Sequence, residues 1–257
     1  MSIGVARPSP EELAAAKHYF IASHSVTDEL NAGGFERYAL AAADEIVQSN
    51  PVAIMVGGTG LYIKAFCEGI DPMPEIPDTI RKKVIDGYES KGLIWLQKEL
   101  EQKDPEFWKV AEQQNPQRLM RALEVLYGTG QSILTFRTKQ KIQRPFRTIK
   151  IGLELPKELL HRNIHTRVDR MMEDGLPDEV RSLEPYRSLN ALRTVGYREL
   201  FDHFDGLTDL PTAVENIKIN TRHYAKRQMT WFKKDNEMNW LTARDAAIEE
   251  AIGLMKR

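Results

Sequence analysis

The chain has 257 residues, 42% of them hydrophobic and 28% charged, with a formal net charge of −1. It is long enough for one large domain or two modest ones with a sizeable core, and it carries no low-complexity tract. Cys67 is the only cysteine, which excludes an intramolecular disulfide, argues against a cysteine-based zinc site and fits a reducing, cytoplasmic setting. Nothing at the N-terminus resembles a signal peptide, and no apolar run approaches the roughly 20 residues of a membrane span.

Pro8-Ser9-Pro10-Glu11-Glu12 is a helix-start signature, predicting a short helix through about Lys17. Residues 19–22 are expected as a strand. Phe35, Tyr38, Ala42, Ile46 and Val47 fall on one stripe of a helix over 34–48. Residues 52–56 form an apolar run that reads as a strand buried on both faces, ending in Gly57-Gly58-Thr59-Gly60. Leu61, Tyr62, Ala65 and Phe66 then recur at helical spacing. Strand, glycine turn and helix in that order suit a ligand site at the carboxyl end of a parallel strand, although glycines make such turns with no ligand at all.

Pro72, Pro74 and Pro77 mark a boundary, and short helices are expected between residues 78 and 143. These include 91–100 around Trp95, a start at Asp104-Pro105-Glu106, and 117–127 closed by Gly128-Thr129-Gly130. Residues 148–155 return to the sheet. Leu160, Ile164, Val168 and Met171 stripe a helix stopping at Gly175, with Pro177 in the first turn of the next. A long helix is expected over 212–233 and a last strand over 239–242. The organisation expected is an α/β core, 1–74 and 146–257, interrupted by a mostly helical insertion, 75–145.

Charge is unevenly spread. From 117 to 150 there are eight Lys or Arg (118, 121, 137, 139, 141, 144, 147, 150) and the single acid Glu124, a pattern suited to a polyanion. Lys218, Arg222 and Lys226 stack at i, i+4, i+8, where like charges cost a few tenths of a kcal/mol per pair unless an anion intervenes. A solvated helix face, with Trp231 in the core, is the reading the residues alone favour. Arg118 and Arg121 suit a phosphate or a base, or a pair of surface salt bridges. His161 and His165 share a helical face, but HRNIH lacks the Glu of a zincin and no third ligand is evident, so no protein-held metal is expected.

Gly57-Gly58-Thr59-Gly60-Leu61-Tyr62 resembles the GGTGLY motif of the bacterial tRNA dimethylallyltransferases, also called tRNA isopentenyltransferases. Ile3-Gly4-Val5-Ala6-Arg7-Pro8, the segment from Gln117 to Val125, Thr194-Val195-Gly196-Tyr197-Arg198 and Lys226-Arg227-Gln228-Met229-Thr230-Trp231 resemble further family motifs in the same order. The resemblance implies a P-loop NTPase-like parallel-sheet core with a helical insertion gripping the anticodon stem-loop of tRNA. It implies transfer of a dimethylallyl group from dimethylallyl diphosphate to N6 of adenosine 37, with Mg2+ accompanying the diphosphate. A full-length member is expected to be a monomer. An enzyme prenylating free adenine nucleotides is the sister reading, against which the size of the basic insertion argues.

By the same resemblance Thr59 and Arg167 are expected near the chemistry, Arg167 at the diphosphate. Thr59, Arg81, Gln117, Arg118, Leu119, Met120, Arg121, Arg193, Thr194, Val195, Gly196, Tyr197 and Arg198 are expected at tRNA. So are Lys226, Arg227, Gln228, Met229, Thr230, Trp231, Phe232 and Lys233. Val5, Arg7, Gly34 and Pro116 depart from the family pattern. The family's N-terminal βαβ unit, with its P-loop and the Asp that serves as general base, has no counterpart here. The expectation is therefore a truncated form, with a catalytically inactive tRNA-binding fragment as the alternative. A chain complete as written is expected to be unstable or self-associating through an exposed sheet edge.

Overall fold

The computed structural model describes residues 1–138 and 140–256. The chain divides into two compact units, Met1–Cys67 with Arg144–Arg257, and Glu68–Gln143.

The first unit opens with α1 (Pro10–Ala15), where Ser9 accepts the Glu12 N–H at 3.2 Å and Glu12 accepts the Ser9 N–H at 2.8 Å. This reciprocal cap satisfies two donors that a helix start otherwise leaves open. The strand expected over 19–22 is absent. Phe20 and Ala22 take φ of 66° and 50°, which no β-strand admits. The Phe20 ring packs against Phe35 and Tyr38 of α2 (Ala32–Val47), and Phe35 stacks at 4.7 Å on Tyr62 of α3 (Gly60–Glu68). Aromatic packing, rather than a backbone ladder, holds this stretch.

Residues 52–56 also form no strand, and they are not buried. Ile54 is 79% and Val56 90% exposed. A run of apolar residues looks the same in sequence whether or not neighbours lie beside it, and among the described residues no strand pairs with this one.

In the second unit, α4 (Asp78–Lys103) is interrupted at Gly92, whose φ of 71° favours glycine. Asp104 caps α5 (Pro105–Val110) by accepting the Phe107 N–H at 3.1 Å. Asn115 caps α6 (Pro116–Thr129), which ends at left-handed Gly130. Leu96, Leu100, Leu119 and Leu123 are fully buried together and make this unit's own core. Lys139, counted among the basic residues of this region, lies outside the described residues.

The first unit resumes with β1 (Lys150–Glu154), followed by α7 (Lys157–Glu173) and α8 (Leu176–Ser182). Next come α9 (Tyr197–Phe204), α10 (Leu210–Phe232), β2 (Met238–Thr242) and α11 (Ala247–Met255). β1 and β2 pair in parallel, Lys150 opposite Met238 through Glu154 opposite Thr242. Gly152 is required there, because a Cβ would stand 2.5 Å from the Trp240 ring. Parallel neighbours need a crossover, and α7–α10 supply it. Val168, Leu176, Val180, Tyr197, Leu200 and Ile217 form a core among α7–α10, at about 1.5–3 kcal/mol for each buried aliphatic side chain. The result is mixed α/β, with a small parallel sheet among many helices.

Candidate nucleic-acid interface

Two motifs that lie 170 residues apart in sequence meet in the first unit. The Gln228 side-chain amide on α10 donates to the carbonyl of Gly58 at 3.1 Å. A Cβ on Gly60 would stand 2.3 Å from the Trp231 ring, and one on Gly58 1.8 Å from Gln228 Nε2. Glycine is therefore needed at Gly60, where the rigid Trp231 ring lies against the turn, while at Gly58 the neighbour is the movable end of the Gln228 side chain. Thr59 sits exposed at the head of α3, its carbonyl accepting the N–H groups of Tyr62 and Ile63.

Along α10 beside this turn, Lys226 and Arg227 are exposed and form no ion pair among the described residues. Arg227 lies over the Tyr224 ring. They share a hollow of about 370 Å³ with His223, Thr230, Trp231 and Lys234. Trp231 is 42% exposed, so its ring offers a stacking face within a cationic surround. Lys233 is held by Glu154 at 2.7 Å, and Met229 and Phe232 are half-buried. The cation column on α10 is only partly open. Lys218 is paired with Asp169 at 2.6 Å, and Arg222 donates to His165 at 3.0 Å, leaving Lys226 of the three without such a partner.

Arg193, Thr194 and Arg198 are exposed, with Val195 half-buried, whereas Gly196 and Tyr197 are buried. Tyr197 is 0% exposed and cannot itself touch a nucleic acid. Its hydroxyl donates to Glu179 at 2.6 Å, and Glu179 also accepts the N–H groups of Ser2, Ile3 and Gly4 at 2.6, 3.0 and 3.1 Å. Burial alone would raise the Glu179 pKa, but these hydrogen bonds outweigh it and hold it below the ordinary value. Burial, and then Glu179, push the Tyr197 pKa up. Gly4 lies against the Tyr197 ring, where a Cβ would stand 2.5 Å away. Glu199, 5% exposed, accepts from Gly196 N–H at 2.8 Å and Asn220 at 2.7 Å, fixing the same turn. Neither acid was singled out from sequence. The available signal was Glu179 at i+3 from Leu176 and beside Val180, an acid inside an apolar stripe.

Arg167 is exposed on α7 and no ion pair to it is formed among the described residues. The basic run over 137–150 is not bare of acids, because they arrive from elsewhere in the chain. Arg144 pairs with Glu36 and donates to the carbonyls of Ala65 and Phe66, both at 2.8 Å, with its side chain only 10% exposed. Lys150 is held by Asp235 and Glu237 at 2.7 and 2.9 Å, and Arg147 donates to the Leu254 carbonyl. Within the second unit Lys141 pairs with Glu68 at 2.8 Å.

Also in the second unit, Gln117 and Arg118 are exposed and Met120 is half-buried, while Leu119 is fully buried and belongs to the core. Arg118 is paired with Glu112 at 2.5 Å, Arg121 with Glu124 at 3.2 Å, and Arg81 stands 3.9 Å from Asp78. The Arg118 and Arg81 pairs are exposed and weak, about 0–1 kcal/mol, and are readily exchanged for an anion, whereas Arg121 pairs with a largely buried Glu124. Among the described residues no three His, Cys, Asp or Glu side chains converge as a metal site, and no helix is long and apolar enough to cross a membrane.

Residues 1–235 match the family model of the IPP transferases. The chain is 48% identical over 240 residues to a protein of Christiangramia forsetii named tRNA dimethylallyltransferase, covering 93% of this chain and 80% of that one. It is 43% identical over 240 residues to tRNA dimethylallyltransferase 1 of Bacteroides thetaiotaomicron, covering 93% and 78%. Its structure is similar to the tRNA isopentenylpyrophosphate transferase of Bacillus halodurans, with a TM-score of 0.69 and 29% identity, over 99% of this chain and 82% of that one. The α/β, P-loop-like fold implied by the motifs is the fold of these relatives. By the extent of the family match and the identity to these relatives, the chain belongs to the IPP transferase family.

Proposed function

We infer that the protein transfers a dimethylallyl group from dimethylallyl diphosphate to N6 of the adenosine beside the tRNA anticodon, position 37. In that reaction the bond between the allylic carbon and the diphosphate oxygen breaks, with its electron pair leaving on the diphosphate. The N6 lone pair forms the new carbon–nitrogen bond, and a proton leaves the amine. Names of relatives supply the reaction, and one observation carries it to this molecule. The Gln228 to Gly58 hydrogen bond and the Trp231 ring against Gly60 bring the Gly57–Gly60 turn and the exposed Lys226 and Arg227 to one surface.

On this reading Thr59 lies at the acceptor, Arg167 serves the diphosphate, and Lys226, Arg227 and Trp231 meet the nucleic acid by charge and stacking. Arg193, Thr194 and Arg198 extend that surface. Gln117 and Arg121 offer phosphate contacts in the second unit, and Arg118 and Arg81 do so once the surface acids Glu112 and Asp78 are displaced. The described residues do not fit a metal cage, so Mg2+ is taken as travelling with the diphosphate, whose charge it neutralises, and no step is routed through it.

The test is a transfer assay on the protein encoded by the whole reading frame, with labelled dimethylallyl diphosphate, Mg2+ and either unmodified tRNA or adenosine monophosphate as acceptor. Label in tRNA alone supports the reading. Label in the free nucleotide alone makes it the sister reaction, and tRNA binding with no label in either acceptor makes it a binding protein.

A further inference from the structure

The seam between α7 and α10 contains a cluster that the function above does not use. Arg222 donates from its guanidinium to Nε2 of His165 at 3.0 Å. A guanidinium is never an acceptor, so that ring nitrogen accepts, and the imidazole is neutral with its proton on Nδ1. His161 lies one turn earlier on α7. Partial loss of water depresses its pKa first, followed by Arg222, Lys157 and His165, so every group that shifts it is a cation or another imidazole. Both acids that face the seam already have a cationic partner, one of them only loosely. Asp169 is paired with Lys218 at 2.6 Å, and Glu215 stands 3.9 Å from Arg222 and is 54% exposed.

A charged donor spending a hydrogen bond on a neutral imidazole is a weaker arrangement than the same donor on an anion, where the bond is roughly twice as strong. An imidazole beside neighbouring cations, as His161 is, gains a proton more readily when an anion arrives, because the anion offsets their repulsion. Lys157, exposed in the first turn of α7, adds an ammonium. The α7 helix follows β1 at its carboxyl end, the side on which open α/β sheets take their ligands.

We propose that His161, His165 and Arg222, assisted by Lys157, form a site for a phosphate group between α7 and α10, and that a proton is taken up as the phosphate binds. Which phosphate arrives, a backbone phosphate of tRNA or the diphosphate of the prenyl donor, depends on the function inferred above. The chemistry of the site is the same for both.

The experiment measures inorganic pyrophosphate binding by calorimetry and unmodified tRNA binding by filter retention, at about pH 8 and about pH 6, on either side of the usual imidazole range. Wild type is compared with Arg222→Gln, with His161→Gln/His165→Gln, and with Lys157→Gln. Arg222→Gln is expected to weaken binding of at least one probe by roughly tenfold. The strengthening of wild-type binding toward the lower pH is expected to disappear in the double histidine variant. Loss confined to tRNA assigns the site to the nucleic-acid backbone, and loss confined to pyrophosphate assigns it to the donor. Should an interior variant fail to fold, Lys157→Gln carries the same test from an exposed position, with an expected weakening of a few-fold. Variants that fold and bind both probes as wild type does at both pH values overturn the proposal. Failure of wild type to bind or prenylate tRNA would instead overturn the function inferred above, because the pyrophosphate measurements read the site without it.

Discussion

Gln228 on α10 and Gly58 in the glycine turn are joined by a single amide-to-carbonyl hydrogen bond of 3.1 Å, and this contact ties the head of α3 to the cationic end of α10. Gly60 has no room for any side chain, because the rigid Trp231 ring occupies the position a Cβ would take. Gly60→Ala is therefore expected to cost about 1–3 kcal/mol by overpacking. It should also lower tRNA affinity more than Gln228→Ala, which removes a hydrogen bond of about 0.5–1.5 kcal/mol. Thermal melts and tRNA titrations on the two variants check the order, and equal behaviour would break the link between turn and interface.

The open and the occupied cations of α10 predict different salt responses. Lys226→Ala is expected to reduce the slope of log affinity against log salt by about one, as loss of a phosphate contact does. Lys218→Ala removes a cation that Asp169 already neutralises and is expected to leave the slope nearly unchanged. Titrations of tRNA over a range of salt concentrations measure both.

Arg144 makes the same point in the opposite direction. Its side chain is 10% exposed, paired with Glu36, and closes the carbonyl end of α3. Arg144→Met is expected to destabilise the fold by about 3–5 kcal/mol by stranding Glu36. The fraction that remains folded should keep its salt slope. A reduced slope with unchanged stability would show that Arg144 meets the nucleic acid after all.

Much of the helical scaffold was legible in the sequence, and the reasons are local. Ile164, Val168 and Met171 recur at helical spacing and are buried, Ser9 and Glu12 cap α1 through side chains three residues apart, and Gly130 closes α6 by its own backbone freedom. What was misread depends on partners far along the chain. Residues 52–56 have the composition of a buried strand, but burial needs a neighbour that composition does not specify. The basic run over 137–150 appeared unopposed because Glu36 lies 108 residues before Arg144, and Asp235 lies 85 after Lys150. Leu119 and Tyr197 lie in segments that carry cations, yet each turns into the core. The Glu179 clamp is invisible for the same reason, since Gly4 is 175 residues away.

Glu179 also sets a pH dependence. Its folded-state pKa lies below the ordinary carboxylate value, so the unfolded chain holds more protons in that range and the clamp stabilises the fold above it. That contribution is full above the unfolded value and is lost as pH falls through the folded one. Urea midpoints measured from neutral pH downward should fall more steeply for wild type than for Glu179→Gln, with the two curves converging in acid. A constant difference between them would remove the carboxylate from the account.

The central claim is that the surface joining the glycine turn to α10 serves transfer of a dimethylallyl group to tRNA. Nucleoside mass spectrometry of unmodified tRNA, after incubation with the protein of the whole reading frame, dimethylallyl diphosphate and Mg2+, tests it most directly. The account predicts N6-dimethylallyladenosine at the position beside the anticodon, with its yield sharply reduced for Gly60→Ala at equal folded protein. Unmodified adenosine at that position with wild-type protein, or undiminished yield with Gly60→Ala, would contradict it.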